Sequence, residues 1–396
     1  MATTGQLSRR NFAQLLGLGA SAALLAPVQA RGLEERLALG GRLRAAKLLP
    51  KDPENLILLN SNENPYGPSP AALEAMVEAH SVACRYPDFW ADQLQEKLAR
   101  FHGVDPEMVV VTCGSTEVLK LGAMAFLDPN RRLVMAEPTF EAIGRYARLT
   151  GAEIVKVPCD AAWRHDLEAM ARAARERPGL VYLCNPNNPT GTVVSKAALE
   201  KFLKQMPADS VALVDEAYCH FADDPGYGSL LDSVKAGGNV VVARTFSKIY
   251  GMAGLRLGYA IARRDLIERM RPHQVMESWN VMACAAALAS LEDAGFVARN
   301  VRLNADARAA LVDALRERGR DCIPSQTNFV CVPVGGPARP LIQAFRERGI
   351  SVGRPFARLD DYIRVSLGTP AEMEKFLAVF DQIVSPARAA ALRTAS

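Results

Sequence analysis

Val240-Val241-Val242-Ala243-Arg244-Thr245-Phe246-Ser247-Lys248-Ile249-Tyr250-Gly251-Met252-Ala253-Gly254-Leu255-Arg256 reads as a short apolar strand running into a polar end and a glycine-punctuated turn. The same layout recurs upstream. Leu180–Cys184 ends in Asn185-Pro186-Asn187-Asn188-Pro189-Thr190-Gly191, and Val211–Val214 ends in Asp215-Glu216-Ala217-Tyr218. Met108–Thr112 runs into Cys113-Gly114-Ser115-Thr116 and then a helical pattern. Arg132–Ala136, Glu153–Val157 and Leu257–Ile261 are further apolar runs. Amphipathic stretches such as Glu117–Phe126 and Lys196–Gln205 lie between several of them. Continuous apolar strands separated by helices predict an α/β fold, with a mostly parallel sheet covered by helices on both faces.

Working outward, Ala283 to Arg318 reads as one long helical region. Asn328–Val334, a helix near Leu341–Arg348, the run Ile363–Ser366 and a last helix from Pro370 follow, a smaller α+β pattern. On the other side, Leu56–Leu59 is a short strand before the loop Asn60 to Pro68, and the polar segment Arg31–Glu54 carries one expected helix. The expected division is a leader over 1–30, an N-terminal segment over 31–60 joining the small domain, a large domain over 61–285, and the small domain over 286–396.

Composition fits this reading. The chain has 396 residues, 49% hydrophobic and 23% charged, enough for a sizeable core. A net charge of +4, with no Lys/Arg cluster or basic helix face, points away from nucleic acid and toward small molecules.

The first residues differ from the rest. Ser8-Arg9-Arg10-Asn11-Phe12 precedes an apolar, Gly/Ala-rich run from Ala13 to Pro27, and Val28-Gln29-Ala30 offers small residues at a cleavage site. The run is short for a bilayer span. Together these resemble a twin-arginine signal, which implies export of the folded protein to the periplasm, with no stable membrane anchoring once the signal is removed. Eight widely spaced cysteines, none in a C-x-x-C pair, read mostly as buried free thiols, with one disulfide still open. The five histidines have no metal-ligand spacing, so no metal is expected.

In open α/β sheets, ligands gather at the carboxyl ends of strands. Cys113-Gly114-Ser115-Thr116 at a helix start suits a phosphate, or is a plain helix cap. Each polar strand end has such a bland reading alone. Their order, each after a strand, resembles the fold-type I pyridoxal 5′-phosphate (PLP) enzymes of the class I/II aminotransferases, most closely the histidinol-phosphate aminotransferase branch. The similarity runs from about Leu56 to Phe380. Asn-Pro-Thr-Gly at Asn188–Gly191 and Ser-Lys-x-x-Gly-x-x-Gly-x-Arg at Ser247–Arg256 are its specific elements.

The resemblance implies roles. Lys248 would hold PLP as a Schiff base and later move a proton, which requires a lowered pKa. Asp215 would pair with the ring nitrogen, and Tyr218 and Asn188 with the ring oxygen. Phe140, after Glu137-Pro138-Thr139, would stack on the ring. Ser115, Thr116, Thr245, Ser247 and Arg256 would bind the phosphate. Tyr66 would reach the partner's cofactor across a homodimer. Arg364, in Tyr362-Ile363-Arg364-Val365-Ser366, would bind a substrate α-carboxylate, with Asn188 beside it. The implied reaction moves an amino group between an L-amino acid and a 2-oxo acid. Decarboxylation, racemisation or oxidation on the same scaffold is the alternative, and a non-catalytic PLP-binding protein a third.

The pattern departs from the family where the substrate's side chain would sit. Relatives carry Val-Arg upstream of Arg364; here Val352-Gly353-Arg354-Pro355-Phe356 is displaced by one residue. Ser278-Trp279-Asn280 replaces their Pro-Tyr-Asn. Arg354, Trp279 and Phe356 are therefore the specificity candidates, and export favours a substrate other than histidinol phosphate.

Overall fold

A computed structural model describes residues 56–384. The expected signal and the helix expected in 31–54 lie outside the described residues. The strands are β1 Ile57–Leu59, β2 Val109–Thr112, β3 Arg132–Glu137, β4 Glu153–Pro158, β5 Gly179–Cys184, β6 Val211–Asp215, β7 Val240–Thr245, β8 Gly258–Ala262, β9 Phe329–Pro333, β10 Ile350–Val352 and β11 Tyr362–Ser366. Seven of them form one sheet in the order β2-β8-β7-β6-β5-β3-β4. It is parallel from β4 through β7, as the apolar runs predict.

β8 is antiparallel to both its neighbours. The reason is the connection. A parallel return needs a crossover, usually a helix. The link from Thr245 to Gly258 holds only a short 3-10 turn, Ala253–Leu255, so the chain doubles back. That link carries Ser247, Lys248 and Arg256.

Both faces of the sheet are buried. Ala72, Leu94, Leu98 and Ala283, from helices Pro70–Ala79, Asp88–His102 and Val281–Glu292, cover one face. Val118, Leu119, Ile143 and Leu266 cover the other. Every residue of β5 is buried, which explains its unbroken apolar sequence.

The expected long helix over Ala283–Arg318 is corrected. It is two helices, Val281–Glu292 and Ala294–Glu317, bent by 83°. Asp293 makes the break by accepting a hydrogen bond from Phe296 N at 2.9 Å, the cap of a new helix. Beyond it, β9 and β11 pair antiparallel and β1 pairs parallel with β10, 293 residues downstream in register Ile57↔Ile350. These strands share a core with the helices Ala338–Arg346 and Pro370–Ile383, where the Phe345 and Phe376 rings stack at 5.3 Å. The last helix begins with a capping box, Thr369 with Glu372. None of the eight cysteines is in a disulfide.

Candidate active site

The polar strand ends converge on a cavity of about 590 Å³. Parallel pairing sets Cys184 beside Asp215, and Asp215 beside Ala243, so the tips of β5, β6 and β7 lie side by side. Alternation along β6 sends neighbours to opposite sides. Glu216 accepts two bonds from the Arg244 guanidinium at 2.6 and 2.9 Å, leaving Asp215 to the cavity.

One end of the cavity is a cup. Ser115 and Thr116 open the helix Ser115–Phe126, whose N-cap, Gly114, brings no side chain to cap it. Thr245 Oγ1 donates to Ser247 Oγ at 3.0 Å, and Arg256 Nη1 reaches the same oxygen at 3.3 Å. Arg256 sits at φ 57, a left-handed conformation costly for a side-chain-bearing residue. Gly114, at φ 74, permits the close approach: a Cβ there would lie 2.5 Å from Arg256 Nη2.

Lys248 lies at the centre. Its Nζ donates to Asn62 O at 3.0 Å and to Ser61 O at 3.3 Å. Burial, with the nearby Arg364 cation, pulls its pKa down to about 8. Asp215 is buried, and burial pushes its pKa up to about 6 against hydrogen bonds from Tyr182 Oη and Ala217 N. Tyr218 Oη accepts from Asn62 Nδ2 at 2.9 Å and Asn188 Nδ2 at 3.4 Å. Phe140 also lines the cavity, and its loop is tied to the Asn188 loop by Thr139 Oγ1 donating to Asn187 Oδ1 at 2.7 Å.

Arg364, in the middle of β11, is 7% exposed. Nη1 donates to Asn188 Oδ1 at 2.7 Å and Nη2 to Asn60 O at 2.6 Å. Its buried Nε has no partner, and no acidic side chain among the described residues pairs with it. A buried cation without a counter-charge is costly, and its natural complement is an anion entering the cavity. Arg354, also at the cavity, pairs with Glu141 at 3.1 Å; both guanidinium groups flank the Phe356 ring, at 4.4 and 4.8 Å.

Two expected site residues lie elsewhere. Trp279 packs against the large core with its indole N–H buried and unpartnered. Its neighbours fix this: Ser278 Oγ donates to Glu117 at 2.8 Å, and Asn280 caps the helix Val281–Glu292. Tyr66 is half-buried outside the cavity of its own chain, near Phe221 and Asn300. The sequence reading also missed the wall formed by Asn60, Ser61, Asn62 and Glu63. The dense polar run after β1 was the available signal.

A family model described as aminotransferase class I and II matches residues 54–380. The chain belongs to this family. It is 41% identical over 325 residues to a histidinol-phosphate aminotransferase of Symbiobacterium thermophilum, covering 82% of this chain and 89% of that one. Histidinol-phosphate aminotransferase from Sinorhizobium meliloti, solved in complex with pyridoxal 5′-phosphate, superposes with a TM-score of 0.78 at 27% identity, covering 83% and 90%. An L-threonine-O-3-phosphate decarboxylase from Porphyromonas gingivalis shares the fold, TM-score 0.73 at 24% identity, covering 83% and 99%.

The protein is thus a fold-type I aminotransferase whose cofactor is PLP. The cavity fits that group. The cup offers hydroxyls, a guanidinium and an uncapped helix start to a phosphate. Asp215 offers a buried carboxylate to a ring nitrogen, and Lys248 an amine to an aldehyde. Only the neutral amine attacks. With a pKa near 8 rather than the usual lysine value, about one Lys248 in ten is neutral at pH 7. Capture of PLP by cofactor-stripped protein should therefore speed up as pH rises to about 8 and level off above it, as followed by absorbance after rapid mixing.

Proposed function

We propose that this aminotransferase takes the amino group from an L-amino acid and gives it to a 2-oxo acid, with Arg364 holding the α-carboxylate and Lys248 moving the proton. The buried Arg364 guanidinium, with no acidic partner among the described residues and lining the same cavity as Lys248, carries this reading. Two parallel hydrogen bonds from a planar guanidinium fix a carboxylate's orientation. Such a grip would hold the donor's Cα in the cavity that Lys248 also lines. When bound, PLP supplies a ring that takes up the electron pair left on Cα. Lys248 Nζ, buried in the cavity with a lowered pKa, would be the group that takes up the Cα proton and gives it back. Asp215 would keep the ring nitrogen protonated, while Tyr218 and Asn188 would hydrogen-bond the ring oxygen. Ser115, Thr116, Thr245, Ser247 and Arg256 would anchor the phosphate, and Phe140 would pack against the ring.

The test is a screen of amino donors against PLP-loaded protein. Transamination appears as a spectral change on adding donor that is reversed by a 2-oxo acid. Consumption of donor without oxo acid, with release of CO2 or H2O2, would instead support decarboxylation or oxidation; the decarboxylase of the same fold keeps that reading in view.

The substrate's side chain lies toward Arg354 and Phe356. The Arg354–Glu141 pair is half-exposed and so is readily exchanged for a substrate's own acid. Arg354→Gln should cut kcat/KM for donors with an acidic side chain or phosphate by about tenfold while leaving uncharged donors within twofold. Histidinol phosphate belongs in the same panel, since the relatives bear that name.

A homodimer completes the site in this reading. Tyr66 stands outside its own cavity, and Tyr86, Phe89 and Met276 leave large apolar side chains exposed. If Tyr66 serves the partner's phosphate, co-refolded Lys248→Ala and Tyr66→Ala chains should regain activity that neither shows alone. Each mixed dimer then has one intact site. Absence of recovery would refute the cross-subunit role. Export to the periplasm rests on Arg9-Arg10 and the apolar run behind them, outside the described residues. A Lys-Lys replacement of that pair should leave the protein in the cytoplasm.

A further inference from the structure

We infer that Tyr182 is a positioning residue: its hydroxyl aims Asp215 at the ring nitrogen of the cofactor and keeps that carboxylate in its charged form. The inference rests on the reading that Asp215 is the ring-nitrogen partner.

Tyr182 stands in the middle of β5 with Leu180, Val181 and Leu183 around it, and it is 0% exposed. A phenylalanine would fill nearly the same space. A buried hydroxyl costs stability unless it is bonded, so its presence calls for a partner. That partner is Asp215 Oδ2, at 3.1 Å. The sheet register makes the contact possible. Tyr182 is opposite Leu213, so Asp215, two residues further on, lies diagonally across on the same face. Ala217 N donates to the other oxygen, Oδ1, at 3.1 Å. With one donor on each oxygen, the carboxylate cannot rotate freely.

The charged surroundings of Asp215 agree. Lys248 faces it across the cavity, Glu216 follows it in the chain, and the Cys184 thiol is beside it on β5. Burial raises the Asp215 pKa, and the Tyr182 hydrogen bond is the largest influence holding it down to about 6. Losing that hydrogen bond moves the carboxyl toward its neutral form at pH 7, where it no longer holds a proton on the ring nitrogen by charge.

The test is Tyr182→Phe in the full chain, stripped of cofactor and titrated with PLP between pH 5 and pH 8. Affinity should fall about tenfold at pH 7, and the midpoint of its pH dependence should move up. The stripped protein should still fold, since the side-chain volume is kept, with only a modest drop in melting temperature for the lost hydrogen bond. In an Asp215→Asn background the same substitution should cost less than twofold. Unchanged affinity and midpoint in Tyr182→Phe would overturn the inference. So would an equal loss in both backgrounds, which would mean that Tyr182 acts by packing alone. If Asp215→Asn itself binds PLP as the wild type does, the reading beneath the inference fails, and that outcome is visible separately. Tyr182→Met, similar in bulk and without a hydroxyl, repeats the test should the Phe variant not fold.

Discussion

Lys248→Ala is expected to lower transamination by about 10⁴-fold, the full range that one positioned proton-transfer group supplies. The protein should still fold, because the lysine amine makes only two bonds to loop carbonyls, of Ser61 and Asn62. It should also still bind PLP, because the phosphate cup and Asp215 are untouched. What disappears is the covalent hold. Mass spectrometry after borohydride reduction should find the cofactor attached at residue 248 in the wild type and nowhere in the variant. Unchanged turnover in Lys248→Ala would remove the catalytic assignment altogether.

The second large effect is expected at Arg364. Arg364→Gln should reduce kcat/KM for amino donors by about 10² to 10³, the cost of leaving a carboxylate in a buried site without its cation. Stability should behave differently. The wild-type guanidinium is buried with Nε unpartnered and no counter-charge among the described residues, so its desolvation stays largely uncompensated until substrate arrives. Removing the charge relieves that cost, and the glutamine amide can still donate toward Asn188 Oδ1 or Asn60 O. The melting temperature of the variant should therefore not drop. A 2-oxo acid at 100 times its Kd should stabilise the wild type by about 2.7 kcal/mol and leave the variant unmoved. Stability traded for a binding function has this signature.

The sheet was legible in the sequence because a strand buried on both faces has to be continuously apolar, as β5 is and as β6 and β7 are up to Val214 and Ala243. The cofactor end of the site was legible for a related reason. A polar residue at the end of such a strand, as at Asp215 or Thr245, has left the core and faces something else. The rest depends on contacts distant in the chain. Asn62 meets Tyr218 and Lys248 across more than 150 residues, and nothing local to the loop reports it. Trp279 looked available for specificity, but its two neighbours turn it into the core. Tyr182 lies inside the apolar run Leu180–Cys184, and a hydroxyl's partner cannot be inferred from such a run. The bend at Asp293 was hidden because a cap and a mid-helix polar residue look alike without coordinates.

The pairing of β1 with β10 reaches beyond packing. Asn60, Ser61, Asn62 and Glu63, which follow β1, form one wall of the cavity, and beside the bonds with Tyr218 and Lys248 much of what holds them comes from the far end of the chain: Asn328, Arg364 and Ser366. During synthesis the first wall to leave the ribosome is thus the last to be fixed. The cup and Lys248 can assemble around the central strands, but the substrate side closes only after β11 has been made. A chain halted before Tyr362 would retain the elements proposed to hold a cofactor and lack Arg364, proposed to hold an amino acid.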